Sequence, residues 1–481
     1  MFPLNRSLYL RLLFLLVLAV AAIVLFYRLG DPALKNWDEA IYAEVAKEIV
    51  QSGDWLTLHW QHADWFEKPP LTFWVMAGLF RLFGVNEFSA RAVSALAGVG
   101  VVAVVYGIGK LQRGPVCGLI AALILLTTFQ FVQMSRLVFT DVLLLFFIYL
   151  AIYGYLRVRG GERRWWYVVS VSCALGFMVK SFASLFAPAA IAFALILDRQ
   201  VRESLRTKQF WFSILAGLAV IVPWHAAMIY RHGSAFVNEY FYYHVWSRTI
   251  VPLEGHEGPY SFYFREIWEK MHPWWSIAPF AVVFNVWQVK RARSPVVVLA
   301  LAMLVFGFYT AAQTKLTSYI LPVYPALALL IADLFTSLYN QRRWAFRVAV
   351  ILVCVCFAYM GVGKIQSYYL RIEGEDEAVK ELAVLAAAPR SPPVLIVYSR
   401  TGEFDPQSAL FYSNKRVLQA TGGAGYSSTL YHNNKPLAEV VSEQAAGIIL
   451  AKGDVEPLLV DYTIEIAGQS HNLVYATIRQ K

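Results

Sequence analysis

Charge is scarce in this chain of 481 residues: only 15% are Asp, Glu, Lys or Arg, while 58% are hydrophobic and 15% aromatic. Soluble globules carry roughly a quarter charged and about half apolar residues. A soluble domain is therefore excluded and a polytopic membrane protein predicted. Cysteine is scarcer still. Its four copies (Cys117, Cys173, Cys354, Cys356) all lie in apolar stretches, which argues against a disulfide framework or thiolate metal site and for packing as small hydrophobes. Low-complexity tracts and 20–50-residue repeats are missing, which argues against repeat arrays. No small-residue cleavage site follows the apolar run 8–27, so that run reads as a retained first transmembrane helix and not as a signal peptide. Nucleic-acid-binding motifs are also missing. The net charge of +10 comes from Lys and Arg in short loops, the pattern of the positive-inside rule, and no nucleic-acid partner is predicted.

What the chain does have is long apolar runs, at about 8–27, 90–109, 115–133, 138–157, 165–180, 182–198, 211–230, 273–289, 295–312, 317–338 and 344–362. They predict a polytopic α-helical membrane protein of about 11–13 transmembrane helices. Basic loops test the arrangement: Arg6 and Arg11; Lys110 and Arg113; Arg157 to Arg164; Arg199 to Lys208; Lys290 to Arg293; Arg342 and Arg343. With a cytoplasmic N-terminus all of them fall inside, provided that 71–84 (LTFWVMAGLFRLFG) is an interfacial helix and does not cross. The parity predicts loops 28–89 and 231–272, and everything after 363, on the outer side. Residues 1–362 then form a transmembrane domain and 363–481 a small extracytoplasmic α/β domain. In it EDEAVKELAVLAA reads as a helix, and PPVLIVYS, AAGIILAK, DYTIEIA and NLVYATIRQ as strands.

Polar residues cluster on that outer side. In NWDEAIYAEVAKEIV, Asn36 and Glu39 have capping-box spacing, and Ile41, Val45 and Ile49 follow helical periodicity. Asp38 and Glu39 there either complement a surface helix dipole, worth about 0.3–1 kcal/mol each, or serve chemistry. In ADWFEKPP, Pro69 and Pro70 fix an extended turn that aims Glu67 and Lys68. Asp141 starts a span after Arg136, where Thr140 or Asp141 could equally cap a helix. Lys180, in GFMVKSFASLF, has no acidic sequence neighbour, and a lysine near hydrocarbon calls for a partner or for snorkelling. Lys315 and Tyr319 have helical spacing, as do His244 and Arg248. Carboxylates that take a proton and cations that stabilise a leaving phosphate are the groups needed to move a sugar off a lipid phosphate.

At these residues the chain resembles the GT-C membrane glycosyltransferases that use polyprenyl-phosphate sugars, bacterial lipid A aminoarabinose transferases and protein O-mannosyltransferase-like enzymes among them. The resemblance spans about 30–335 and rests on WDEAIYAEVAKEIVQSGDWLT, FEKPPLTFW, GVNEFSARAVSAL, MSRLVFTDVLL and KLTSYILPVYPALALL. It implies a polyprenyl-phosphate sugar donor, a lipid or glycan acceptor, a bacterial inner membrane setting and an outward-facing site. Asp38, Asp141 and Glu39 are then the catalytic candidates. Lys68, Arg248, Lys180, Tyr319 and Lys315 are the carrier-phosphate candidates, and Glu67 and His244 metal ligands or supports. Some relatives hold a metal at such positions; with no third ligand identifiable here, no metal or other cofactor is predicted. The expected activity is inverting sugar transfer to lipid A or another envelope glycan. Transfer to protein, and a lipid-linked sugar flippase, are the alternatives.

Overall fold

A computed structural model describes residues 6–247, 257–289, 296–340, 344–369, 374–389, 391–399, 408–421, 435–437, 441 and 446–481. In chain order the main helices are α1 (Arg6–Phe26), α2 (Asp38–Ser52), α3 (Leu71–Phe83), α4 (Glu87–Arg113), α5 (Pro115–Leu126), α6 (Phe129–Met134), α7 (Thr140–Arg159), α8 (Trp165–Lys180), α9 (Phe186–Leu197), α10 (Arg199–Ser204) and α11 (Lys208–His232). A π-helical segment, Val237–Ser247, follows. Next come α12 (Phe262–Lys270), α13 (Ala278–Val289), α14 (Val296–Ala311), α15 (Val323–Tyr339), α16 (Trp344–Tyr369), α17 (Gly374–Ala386) and α18 (Ser408–Ser413). Seven helical stretches among the described residues, 165–197 counted as one of them, are long and apolar enough to cross a membrane, and α3, α5, α13 and α14 are shorter apolar helices. The chain is a multi-pass membrane protein. The predicted runs 115–133, 273–289 and 295–312 all fall in the shorter class, and α3 has 13 residues, too few to span.

The chain divides into two compact units: residues 1–27, 66–75 and 91–370 in one, and 28–65, 76–90 and 371–481 in the other. In the first, α7, α8 and α11 pack side by side, α5 lies on α15, and α9 on α14. Gly118 lets α5 approach α4 so closely that a β-carbon there would sit 2.4 Å from the Tyr106 carbonyl oxygen. The apolar stretch 165–197 is not one long span. Trp166 Nε1, at the start of α8, donates to Ser204 Oγ (3.0 Å), and Arg159, at the end of α7, pairs with Asp198 (2.8 Å). Both ends of the stretch therefore lie at one level, and the chain doubles back at Lys180 and Ser181, where a 3₁₀ turn (Ser181–Leu185) separates α8 from α9.

In the second unit the tail forms a six-stranded mixed sheet. Its strands are β3 (Val394–Ser399), β4 (Arg416–Thr421), β5 (Lys435–Pro436), β6 (Ala446–Ala451), β7 (Tyr462–Ser470) and β8 (Leu473–Gln480), in the order β5-β4-β3-β6-β8-β7. A separate two-stranded ladder joins β1 (His59–Trp60) to β2 (Ala63–Asp64). Strands β3 to β6 pair in parallel and β8 runs antiparallel between β6 and β7. The four strands and the helix expected from sequence are all present; β4 and β5 were not anticipated. Helix α17 packs on the sheet through Ala378, Val379, Leu382 and Ala383.

Residues 28–65 and 76–90 share this unit with the tail. Helix α2 is not a surface helix, because Glu44, Lys47 and Glu48 are buried along with its apolar face. Lys47 Nζ donates to Glu44 Oε2 (2.9 Å) and to the Phe411 carbonyl oxygen of α18 (2.8 Å), and Glu48 accepts from the His62 amide (3.0 Å). Burial pushes the Glu44 carboxyl pKa up, and the Lys47 ammonium pulls it back. Lys47→Ala leaves a buried carboxylate without its cation. It is expected to destabilise this unit by about 3–5 kcal/mol, and Lys47→Met with Glu44→Leu by much less, read from thermal unfolding of the purified protein.

Candidate active site

The larger unit gathers three of the expected residues. Asp141 stands in the first turn of α7, and its Oδ1 accepts a 2.8 Å hydrogen bond from Lys180 Nζ at the end of α8. This is the partner that a lysine in apolar surroundings calls for, and it lies 39 residues away in sequence. Lys180 Nζ also sits 5.1 Å from the ring centroid of Tyr319, an aromatic face that favours a cation. Tyr319 in turn lies 4.7 Å from the Tyr309 ring. The α7 end has no side-chain cap, so neither Thr140 nor Asp141 plays that part.

Lys315 is differently engaged. Its ammonium donates to the carbonyls of Tyr309 (2.9 Å), Thr310 (2.7 Å) and Ala312 (2.6 Å), closing the C-terminal end of α14, and burial pushes its pKa down. Its three protons go to backbone, which fixes the segment leading into Tyr319.

The FEKPP stretch makes a second ion pair, between the largely buried side chains of Lys68 and Glu67. Pro69 and Pro70 are buried, and α3 begins directly after them. Phe66 packs edge-on to Phe236 (5.6 Å between centroids), Phe236 stacks on Tyr240 (4.9 Å), and the Phe66 amide points at Glu239 Oε1 (3.4 Å). A continuous aromatic contact thus runs from the Lys68 segment to Tyr240.

Tyr240 is a residue that sequence reasoning passed over, together with Ser181 and His225. The Ser181 hydroxyl donates to the Tyr240 oxygen (2.7 Å), and Tyr240 bonds His225 Nε2 (3.1 Å). His225 Nδ1 faces the Ile221 carbonyl oxygen at 2.9 Å. A carbonyl only accepts, so Nδ1 carries the proton and Nε2 takes the Tyr240 hydrogen. This chain holds Ser181, whose φ is +35°, immediately after Lys180. The signal lay in NEYFYYHVWSR, where Tyr240 precedes His244 by one turn.

His244 lies on the π-helical segment, its ring 4.9 Å from that of Tyr243. Arg248 and its spacing to His244 lie outside the described residues. Among the described residues no three His, Cys, Asp or Glu side chains could hold a metal ion, and the Glu67 carboxylate is engaged by Lys68, so the described residues do not make up a ligand set.

Asp38 and Glu39 belong to the smaller unit. Asp38 opens α2 and is half-buried. The expected capping box is not formed. Trp37 occupies the N-cap, Glu39 Oε2 accepts from the Lys35 amide (2.8 Å), and Asn36 Oδ1 accepts from Ser408 instead. The reason is tertiary: residues 33–36 are bonded to the tail, which turns Asn36 away from the helix end.

The chain is a multi-pass membrane protein with a GT-C-like fold. Across 96% of its length the chain superposes on 97% of crystalline ArnT from Cupriavidus metallidurans bound to undecaprenyl phosphate, at TM-score 0.74 and 19% identity. Across 91% it matches 69% of the Archaeoglobus fulgidus oligosaccharyltransferase at TM-score 0.59 and 12% identity. The family described as dolichyl-phosphate-mannose-protein mannosyltransferase matches residues 67–226. In sequence the chain is similar to the undecaprenyl phosphate-alpha-4-amino-4-deoxy-L-arabinose arabinosyl transferase of Pseudomonas savastanoi pv. phaseolicola, with 31% identity over 68% of this chain and 62% of that one. An uncharacterized Aquifex aeolicus protein is 29% identical over 67% of this chain and 64% of its own. The chain thus spans a little under two thirds of the length of these curated relatives.

Proposed function

We propose that this protein is an inverting glycosyltransferase of the bacterial inner membrane. It moves a sugar from a polyprenyl-phosphate carrier to lipid A or another envelope glycan on the extracytoplasmic side, where residues 363–481 also lie. The observation that carries this reading is the pair of largely buried lysine–carboxylate couples, Lys180–Asp141 beside Tyr319 and Lys68–Glu67, in one apolar helical unit. Two cations pre-oriented by carboxylates suit a phosphate that gains negative charge as it goes from the monoanionic sugar diester to the released monoester. The names of similar proteins, with an undecaprenyl-phosphate sugar as substrate, support the same carrier.

In this reading an acceptor oxygen, oriented and deprotonated by Asp38, attacks the anomeric carbon. The new C–O bond forms as the bond to the carrier phosphate oxygen breaks, the proton goes to Asp38, and the phosphate leaves with its added charge held by Lys68, Lys180 and Arg248. Tyr319 lines the carrier site. Asp141 and Glu67 orient the lysines, His244 supports them, Glu39 closes the Asp38 loop and Lys315 anchors the Tyr319 segment. Mass spectrometry of envelope lipids from a deletion strain, with and without the gene restored, tests it. A sugar-bearing lipid is expected to disappear and return, and the purified protein is expected to form that product in detergent with no membrane gradient. Movement of the lipid-linked sugar without covalent transfer would instead establish a flippase.

A further inference from the structure

Backbone strain sits directly before the candidate base. Trp37 has φ 68° and ψ −133°, a conformation costly for any residue with a β-carbon and kept only where its surroundings over-determine it. The residues ahead of it are fastened to the C-terminal tail. The Ala33 amide donates to Glu377 Oε1 (2.6 Å) and the Leu34 amide to the Tyr412 hydroxyl (2.8 Å). Asn36 Oδ1 accepts from the Ser408 hydroxyl (2.8 Å) and amide (3.3 Å), and its Nδ2 donates to Asp376 Oδ1 (3.3 Å). Ala33 and Leu34 are buried, so water does not compete for their amides.

The tail side of these bonds is itself fixed. Having accepted from Leu34, the Tyr412 hydroxyl donates to Glu87 Oε1 (3.1 Å), and Glu87 pairs with Lys380 (2.6 Å). The direction of every proton in the chain Leu34–Tyr412–Glu87 is therefore determined. Helix α2 is held from its other flank, where Lys47 donates to the Phe411 carbonyl next to Tyr412. Contacts bracket Asp38 on both sides, before it through 33–36 and after it through Lys47.

We propose that the C-terminal domain is a positioning clamp for Asp38: Glu377, Ser408 and Tyr412 hold residues 33–36 so that the strained Trp37 peptide presents the Asp38 carboxylate at a fixed place. The inference rests on the reading of Asp38 as the general base. The tail residues touch neither substrate nor reacting atoms; they act through the backbone ahead of Asp38.

The test uses the full chain with Tyr412→Phe and Glu377→Ala, singly and each combined with Asp38→Asn. Three quantities are read: amide hydrogen exchange at 33–38, affinity of the purified protein for undecaprenyl phosphate, and sugar-lipid formation in membranes of the deletion strain. Each tail variant is expected to speed exchange at 33–38 and slow transfer by about 10- to 100-fold, as sub-ångström to ångström misplacement does, with carrier affinity unchanged. In the Asp38→Asn background neither is expected to slow transfer further. Faster exchange with undiminished transfer, or a loss that adds in full to that of Asp38→Asn, overturns the clamp. Normal transfer by Asp38→Asn alone instead overturns the reading of Asp38. If Tyr412→Phe does not fold, Glu377→Ala, which removes one acceptor at the edge of the contact, decides.

Discussion

Asp38→Asn is expected to lower sugar transfer by about 10²- to 10⁴-fold, the share that a positioned general base supplies, while leaving affinity for undecaprenyl phosphate unchanged. Asparagine keeps the size of the side chain and its place at the start of α2 but takes up no proton. The site suits an anion, since the dipole of the helix N-terminus favours the carboxylate. Its half-burial leaves it open to an acceptor, whereas the neighbouring Glu39 is buried and spends its carboxylate on the Lys35 amide. Glu39→Gln, which still accepts from that amide, is accordingly expected to be far milder. Product formation measured in membranes decides, and near-normal turnover by Asp38→Asn would remove the residue from the mechanism.

Lys68→Met is expected to slow transfer by about 10²- to 10³-fold, as loss of one pre-oriented charge does in a water-poor site, and, unlike Asp38→Asn, to weaken undecaprenyl phosphate binding as well. Methionine keeps an apolar stem of similar volume, so the effect comes from the lost ammonium and not from lost packing. It also removes the cation paired with the Glu67 carboxylate, adding repulsion against the carrier phosphate. Lys68→Met with Glu67→Gln is therefore expected to bind the carrier better than Lys68→Met alone. Titration of undecaprenyl phosphate into the three proteins checks both statements, and unaltered affinity in Lys68→Met would place the phosphate elsewhere.

Much of this site was legible in the linear chain. FEKPP is readable because two prolines restrict the backbone locally, whatever surrounds them. Lys180 announced itself because a lysine within apolar sequence needs a partner; which partner was not readable, since Asp141 reaches it only when α7 and α8 pack side by side. The capping box misled because Asn36 and Glu39 have the right spacing, yet both side chains find better partners in a tail more than 300 residues on and in the loop before. Tyr240, Ser181 and His225 look like ordinary membrane-protein residues one by one, and only their hydrogen bonds distinguish them.

By itself, the order of amino acids settled that the chain is a multi-pass membrane protein, where its apolar helices lie, and which charged residues stand near their ends. Hydrophobic length and loop charge act within some twenty residues, and burial of that surface dominates the energy. Tertiary structure decided who meets whom: the doubling back at Lys180, the Asp141 partnership, and the joining of residues 28–65 and 76–90 with the tail. A buried polar group must be satisfied, but many groups can satisfy it, and the choice among them is made by packing between distant segments.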